Sequence, residues 1–297
     1  MGHLLIVADM PGVSGIEALE ACTPGHPAYR DGTALLTAEV NALAGAAFQS
    51  GASAVSVIDW HGARGNLREE LLDPRVRIAP RDLSSGYTAA FLTGFHAMAG
   101  TRPGFASQTM APGLALELNG QPVGELGLVS RWLGEYEIPI ALIVGDRATS
   151  LEAEPFAFDT PTLTVKQARS WDGADSLPVE RAHEALQAAV RRILGRRDRW
   201  RIYRPELPAA VRLQVRHASD LVAKIPGLTR EEGGWFTLTL PTVGTVIDLA
   251  ELIAALLAAD RPAAWLDALE ADPSAATALD RACRDELERA IRENPWP

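Results

Sequence analysis

The chain has 297 residues, of which 47% are hydrophobic, 22% charged and 6% aromatic, a globular composition with enough apolar material for one large core or two modest ones. Its 28 Lys plus Arg against 38 Asp plus Glu give a net charge of −10, which argues against binding the phosphate backbone of nucleic acid. No apolar run reaches about 18 residues, so no membrane span is expected. The N-terminus lacks a basic start, and Cys22 and Cys283 are too far apart for a disulfide framework or thiolate metal knuckle, so a soluble cytoplasmic protein is expected.

In chain order, Leu4-Leu5-Ile6-Val7-Ala8 reads as a fully buried strand that stops at Asp9. Gly12, Ser14 and Gly15 form the loop after it. Apolar residues at helical spacing (Leu35, Leu36, Val40, Leu43, Ala44, Ala47) predict a helix over 29–48, with Gly51 as its stop. Ala54–Ile58, Ala89–Gly94 and Ile138–Asp146 read as three further buried strands. Strands alternating with helical patterns predict an α/β fold with a mostly parallel sheet. The second half changes character. A helix over 182–194 is followed by an Arg-rich stretch, strands at 211–215 and 235–240, and a helix over 247–257. The expected organisation is an α/β domain over 1–165, a smaller α+β domain over 166–260 and a helical tail over 261–297.

The polar residues at the strand ends form the candidate site. Asp9, Asp59, His61 and His96 sit at or just beyond predicted strand tips, where open α/β sheets place their ligands, and Glu125 joins them as a further carboxylate. Carboxylates and neutral imidazoles are zinc donors, and an Asp can bridge two such ions. No pair falls in a short motif such as H-E-x-x-H. The residues alone therefore leave two readings, metal ligands or capping and core histidines.

Four blocks in order carry a resemblance: Asp9-Met10-Pro11-Gly12-Val13-Ser14-Gly15, Asp59-Trp60-His61-Gly62, Gly94-Phe95-His96-Ala97-Met98, and Pro122-Val123-Gly124-Glu125-Leu126-Gly127-Leu128. Val144-Gly145-Asp146, Val165-Lys166-Gln167 and Ile225-Pro226-Gly227 fall in matching places. From about residue 3 to about residue 258 the chain resembles the D-aminopeptidases of the M55 metallopeptidase family. The resemblance implies a cytoplasmic two-zinc exopeptidase that releases N-terminal D-amino acids from short peptides and assembles as a homo-decamer around an inner chamber. It also implies the ligand roles. Asp9 would bridge both metals, His61 would join the first, and His96 with Glu125 would hold the second.

Two positions depart from the family pattern. Pro11 stands where the family has a Glu ligand to the first metal, and Gln108 stands where it has the catalytic His. Proline has no donor atom to offer, and glutamine neither takes nor gives a proton near neutral pH. The expectation is one zinc rather than two, and a zinc-dependent aminopeptidase or amidohydrolase with weakened or altered catalysis. The alternative is a non-catalytic relative that keeps the fold, the assembly and a peptide- or metal-binding pocket. His26 and Glu39 are possible substitutes for the missing ligand or base. Asp59 is expected to orient a ligand histidine or cap its strand. Lys166, one of two lysines in the chain, is expected to bind a substrate carboxylate or otherwise serve the active site. The Arg191–Arg204 stretch is read as a helix end or a subunit contact rather than a nucleic-acid surface.

Overall fold

The computed structural model describes residues 2–259, except 82, 84, 85, 158 and 217; the predicted C-terminal helical tail lies outside the described residues. Among the described residues, twelve strands and six α-helices follow one another: β1 (His3–Ala8), α1 (Tyr29–Gln49), β2 (Ala54–Asp59), β3 (Val76–Ile78), β4 (Ala89–Phe95), β5 (Leu114–Leu118), β6 (Gln121–Val123), α2 (Glu125–Glu135), β7 (Ile140–Asp146), α3 (Arg147–Ala157), β8 (Thr162–Ala168), β9 (Ala174–Ser176), α4 (Val179–Leu194), β10 (Ala209–Val215), α5 (Ser219–Val222), β11 (Thr229–Arg230), β12 (Trp235–Leu240) and α6 (Val243–Ala259).

The larger sheet has the order β3-β2-β1-β4-β7-β8-β9. Its first six strands pair in parallel, and only β9 runs antiparallel, against β8. Continuous apolar runs suit such strands because both faces of the sheet are covered. Along β1, Leu4, Ile6 and Ala8 face a core shared with Leu36 and Leu43 of α1 and Leu186 and Ile193 of α4. Leu5 and Val7 point the other way, into a core shared with α2, the smaller sheet and α6.

The smaller sheet is antiparallel, with the order β11-β12-β10-β5-β6. Two of its strands, β5 and β6, come from the part of the chain before residue 165, while β8, β9 and α4 beyond or across that point belong to the larger sheet and its cover. The two sheets therefore do not divide the chain at residue 165. The reason is packing. Leu116, Leu118, Leu213 and Phe236 of the smaller sheet enter the same apolar core as Leu5 and Val7 of the larger one.

Chain order places the site. From β1 the chain moves outward through β2 and β3, then returns to lay β4 on the other side of β1. A crevice opens at such a reversal, outside the carboxyl ends of the two strands. Asp9 follows the last residue of β1, and His96 follows the last residue of β4.

Candidate metal centre

Asp9 and His96 are brought together by backbone contact between two strand tips. The Asp9 amide donates to the Thr93 carbonyl at 2.9 Å, and the Gly12 amide donates to the Gly94 carbonyl at 2.7 Å. The approach needs glycine. A β-carbon on Gly12 would lie 2.0 Å from the Phe95 oxygen. Glu125 arrives as the first residue of α2, after the β5–β6 hairpin.

The donor atoms of Asp9, His96 and Glu125 all lie within 4.8 Å of one another, and all three residues are buried. His96 Nε2 stands 3.3 Å from Asp9 Oδ2 and 3.4 Å from Glu125 Oε1. His96 Nδ1 is 3.1 Å from the Ala97 carbonyl, which can only accept, so Nδ1 carries the proton and Nε2 faces the two carboxylates. That tautomer is the one a metal-binding imidazole needs. Glu125 is held at both oxygens: Trp60 Nε1–H donates to Oε2 at 2.9 Å, and the Met110 amide donates to Oε1 at 2.8 Å. Asp9 Oδ1 accepts from its neighbour Met10, but the buried Oδ2 makes no hydrogen bond among the described residues and meets only the His96 ring, 3.3 Å away. A buried carboxylate oxygen with so little compensation is costly. A cation between Oδ2, Nε2 and Oε1 would supply what it lacks, so these residues fit a zinc ion.

The electrostatics follow from burial and close approach. Burial opposes the Asp9 carboxylate, but the imidazoles of His61 and His96 prevail and hold its pKa well below the usual range. Burial likewise opposes a charged His96, and the carboxylates of Asp9 and Glu125 raise its pKa well above the ordinary value.

His61 lies beside this cluster. Its Nδ1 is 3.1 Å from Asp9 Oδ1, and its Nε2 donates to the Cys22 carbonyl at 2.9 Å. Both ring nitrogens are therefore engaged. Pro11, where the family has a carboxylate, contributes its carbonyl to Lys166 instead: Lys166 Nζ donates to Pro11 O at 2.7 Å and to Ile16 O at 2.5 Å, and lies 5.1 Å from the Phe105 ring centre. Lys166 is buried, and burial lowers its pKa to about 8. It ties the two ends of the loop after β1 together through those carbonyls.

The remaining candidates occupy distinct places. Asp59 accepts from the Asn66 amide at 2.6 Å and side chain at 2.8 Å, and from the His61 amide at 3.3 Å, so it closes the loop after β2 rather than touching an imidazole. Glu39 is fully buried and accepts from Ser14 N, Ser14 Oγ and Thr93 Oγ1, joining α1 to the loop after β1 and to β4. His26 is exposed and accepts from the Ala28 amide at 3.2 Å. Gln108 is half-buried, and its amide donates to the same Ala97 carbonyl that receives His96 Nδ1–H. Three of the seven arginines in the Arg-rich stretch are paired with carboxylates: Arg196 with Asp198, Arg201 with Asp159 and Arg204 with Glu137.

Three contributors have no readable signal in the sequence. Trp60 lies inside a recognisable block, but its hydrogen bond to Glu125 depends on tertiary placement. The Met110 amide has no side-chain signature. Glu152, on α3, is largely buried, accepts from the Met98 amide at 2.5 Å and leaves its other oxygen unpartnered among the described residues; burial raises its pKa to about 7.

A donor set of one imidazole and two carboxylates at the switch point of a parallel sheet is that of an α/β protein able to hold a metal ion. A model of the D-aminopeptidase family, Peptidase_M55, matches residues 3–252, and the chain belongs to that family. A D-aminopeptidase of Bacillus subtilis (strain 168) is 31% identical over 206 residues, covering 66% of this chain and 75% of that protein. The solved structure described as the Zn-dependent D-aminopeptidase DppA from Bacillus subtilis, a self-compartmentalizing protease, aligns with a TM-score of 0.80 at 26% identity, covering 88% of this chain and 99% of that one. Among the described residues, no helix is long and apolar enough to cross a membrane.

Proposed function

We propose that the chain is a zinc-dependent aminopeptidase or amidohydrolase of the D-aminopeptidase type, acting on short peptides or amides, with altered catalysis. The observation that carries this reading is the buried Asp9 Oδ2, which makes no hydrogen bond among the described residues and faces His96 Nε2 and Glu125 Oε1. Asp9, His96 and Glu125 would hold the ion, and zinc there supplies Lewis-acid polarisation of an amide carbonyl. Trp60 and the Met110 amide fix the Glu125 carboxylate, and the Ala97 carbonyl fixes the His96 tautomer. Gln108 orients substrate through its amide but moves no proton. One zinc per chain is expected, because Pro11 offers no side-chain donor and both His61 nitrogens are engaged. Assembly into a homo-oligomer is part of the proposal, supported by the self-compartmentalizing relative.

The second reading, a relative that keeps the fold and pocket without hydrolysis, is favoured by Gln108 in the place of the family's catalytic His. One experiment separates them. Purified protein is assayed for zinc content and for release of D-alanine from D-alanyl-D-alanine, with and without chelator. One tightly held zinc with slow, chelator-sensitive release supports the hydrolase. One zinc with no release supports the second reading, and fast release that ignores chelator overturns the metal assignment.

A further inference from the structure

We propose that the cavity beside Gln108 is a carboxylate-binding subsite in which Arg102 and Arg216 hold the free C-terminal carboxylate of a short peptide. The proposal rests on the peptide-hydrolase reading above and names the end of the substrate that reading leaves open.

The cavity measures about 430 Å³ and is lined by Arg102, Ser107, Gln108, Trp171, Gln214 and Arg216, among others. That volume is in the range of small-molecule sites, which run from about 300 to about 1,000 Å³. Its lining is basic. Some arginines, such as Arg64, Arg81, Arg212 and Arg230, are paired with a carboxylate, and others are not. Arg102 and Arg216 have no carboxylate partner among the described residues, in a protein whose net charge is −10. Two guanidinium groups lining one cavity without acids of their own are matched by a carboxylate supplied from outside. The planar fork binds such a group through two parallel hydrogen bonds.

The other walls fit a short peptide. Trp171 is 43% exposed yet fixed in place: its Nε1–H donates to the Ser107 carbonyl at 3.0 Å, and its own carbonyl accepts from the Ala106 amide at 2.7 Å. It offers a rigid apolar face. The Gln214 side-chain amide donates to the Gly233 carbonyl at 2.9 Å, whereas the Gln108 side chain has no partner among the described residues and is free for the substrate backbone.

The cavity also joins the metal centre through a single segment. Gln108 lines it and donates its amide to the carbonyl that fixes His96, and two residues later the Met110 amide holds Glu125. In this proposal a peptide whose carboxylate lies in the cavity extends toward the metal donors along residues 107–110. Only short peptides with a free C-terminus satisfy both ends.

The test uses probes that an aminopeptidase cannot cleave. N-acetyl-D-alanine carries the carboxylate, and N-acetyl-D-alaninamide lacks it. Binding of each to the full chain is measured by titration calorimetry, for wild type and for the Arg102→Gln/Arg216→Gln double variant. The acid is expected to bind about tenfold more tightly than the amide to wild type, with that difference lost in the double variant. Each single Gln variant is expected to lose part of it, and Arg216→Lys, which keeps charge without the fork, to fall between. Equal binding of acid and amide to wild type overturns the subsite without touching the peptidase reading. So does inorganic phosphate binding more tightly than the acid, which would make this a phosphate site. A double variant that changes oligomeric state on size-exclusion chromatography but keeps its preference for the acid also overturns it, by making the arginines a subunit contact. Failure of the peptidase reading is read separately, from the zinc and hydrolysis assay above.

Discussion

Gly94 and Asp9 touch backbone to backbone. A β-carbon added to Gly94 would lie 1.9 Å from the Asp9 carbonyl oxygen, and the residue holds φ at +73°. Both facts demand glycine, one through space and one through conformation. The contact seats the metal-facing tip of β1 against the tip of β4, so it governs the spacing of Asp9 and His96.

Gly94→Ala is therefore expected to push the two tips apart. The predicted result is a loss of zinc stoichiometry together with a stability loss of about 3 kcal/mol, from strain plus displaced backbone. Urea unfolding and elemental analysis measure the two. A variant that keeps full zinc and full stability would mean that the strand tips tolerate rearrangement.

Lys166 is expected to act on the metal centre through the loop after β1. Lys166→Met leaves the Pro11 and Ile16 carbonyls without their donor and releases the loop after Asp9. Zinc affinity should fall by about tenfold or more, as when an outer partner of a ligand is removed. Competition with a chromogenic chelator reads this directly, and unchanged affinity would restrict Lys166 to holding the fold.

Restoring the family residues should restore the family's chemistry. Pro11→Glu supplies a carboxylate beside Asp9 and His61, while the backbone carbonyl that Lys166 holds is retained. Gln108→His supplies a proton carrier, with catalytic help of about 10²–10⁴-fold in such roles. The double variant is expected to bind a second zinc and to hydrolyse D-alanyl-D-alanine faster than the two single variants together predict. Strictly additive effects would mean that the two positions do not serve one reaction.

Glu152 gives the protein a pH dependence of known sign. Its pKa is about 7 in the folded chain against an ordinary 4.5. Between those values the folded state holds a proton that the unfolded state has released, so stability falls as pH rises through that window. At about 1.4 kcal/mol per pH unit, the loss from this group amounts to about 3 kcal/mol by pH 7. Glu152→Gln resembles the protonated acid at every pH and still accepts from the Met98 amide. Chemical denaturation should find the variant more stable than wild type at pH 8 and nearly equal to it at pH 4.5. A gain of the same size at both values would point away from ionisation.

The fold and the candidate donors are legible where local pattern suffices. Leu4–Ala8 and Ala54–Ile58 are apolar runs that only a strand covered on both faces explains, and Asp9 and His61 mark where they end or just beyond. Other features depend on pairing across long stretches of chain. Leu114–Leu118 alternates as a strand should, but nothing local says that it pairs with Val211–Val215, so the smaller sheet's claim on residues before 165 was hidden. Arg147–Ala157 contains Pro155 and carries no strong helical stripe, which concealed both α3 and Glu152. For Asp59 the sequence leaves open an imidazole partner or a cap on its strand, and the side chain takes the second course, closing the loop after β2 through Asn66.

The indole of Trp60 donates to one oxygen of Glu125 while His96 faces the other. A charge arriving at Glu125 changes the electric field across that ring, and with it the colour and yield of its fluorescence. Trp132, with its ring centre 5.9 Å away, is close enough to share the excitation. The metal centre thus carries its own optical reporter: titrating zinc into chelator-treated protein should shift tryptophan emission with a midpoint at the binding constant, and Trp60→Phe should silence most of that signal.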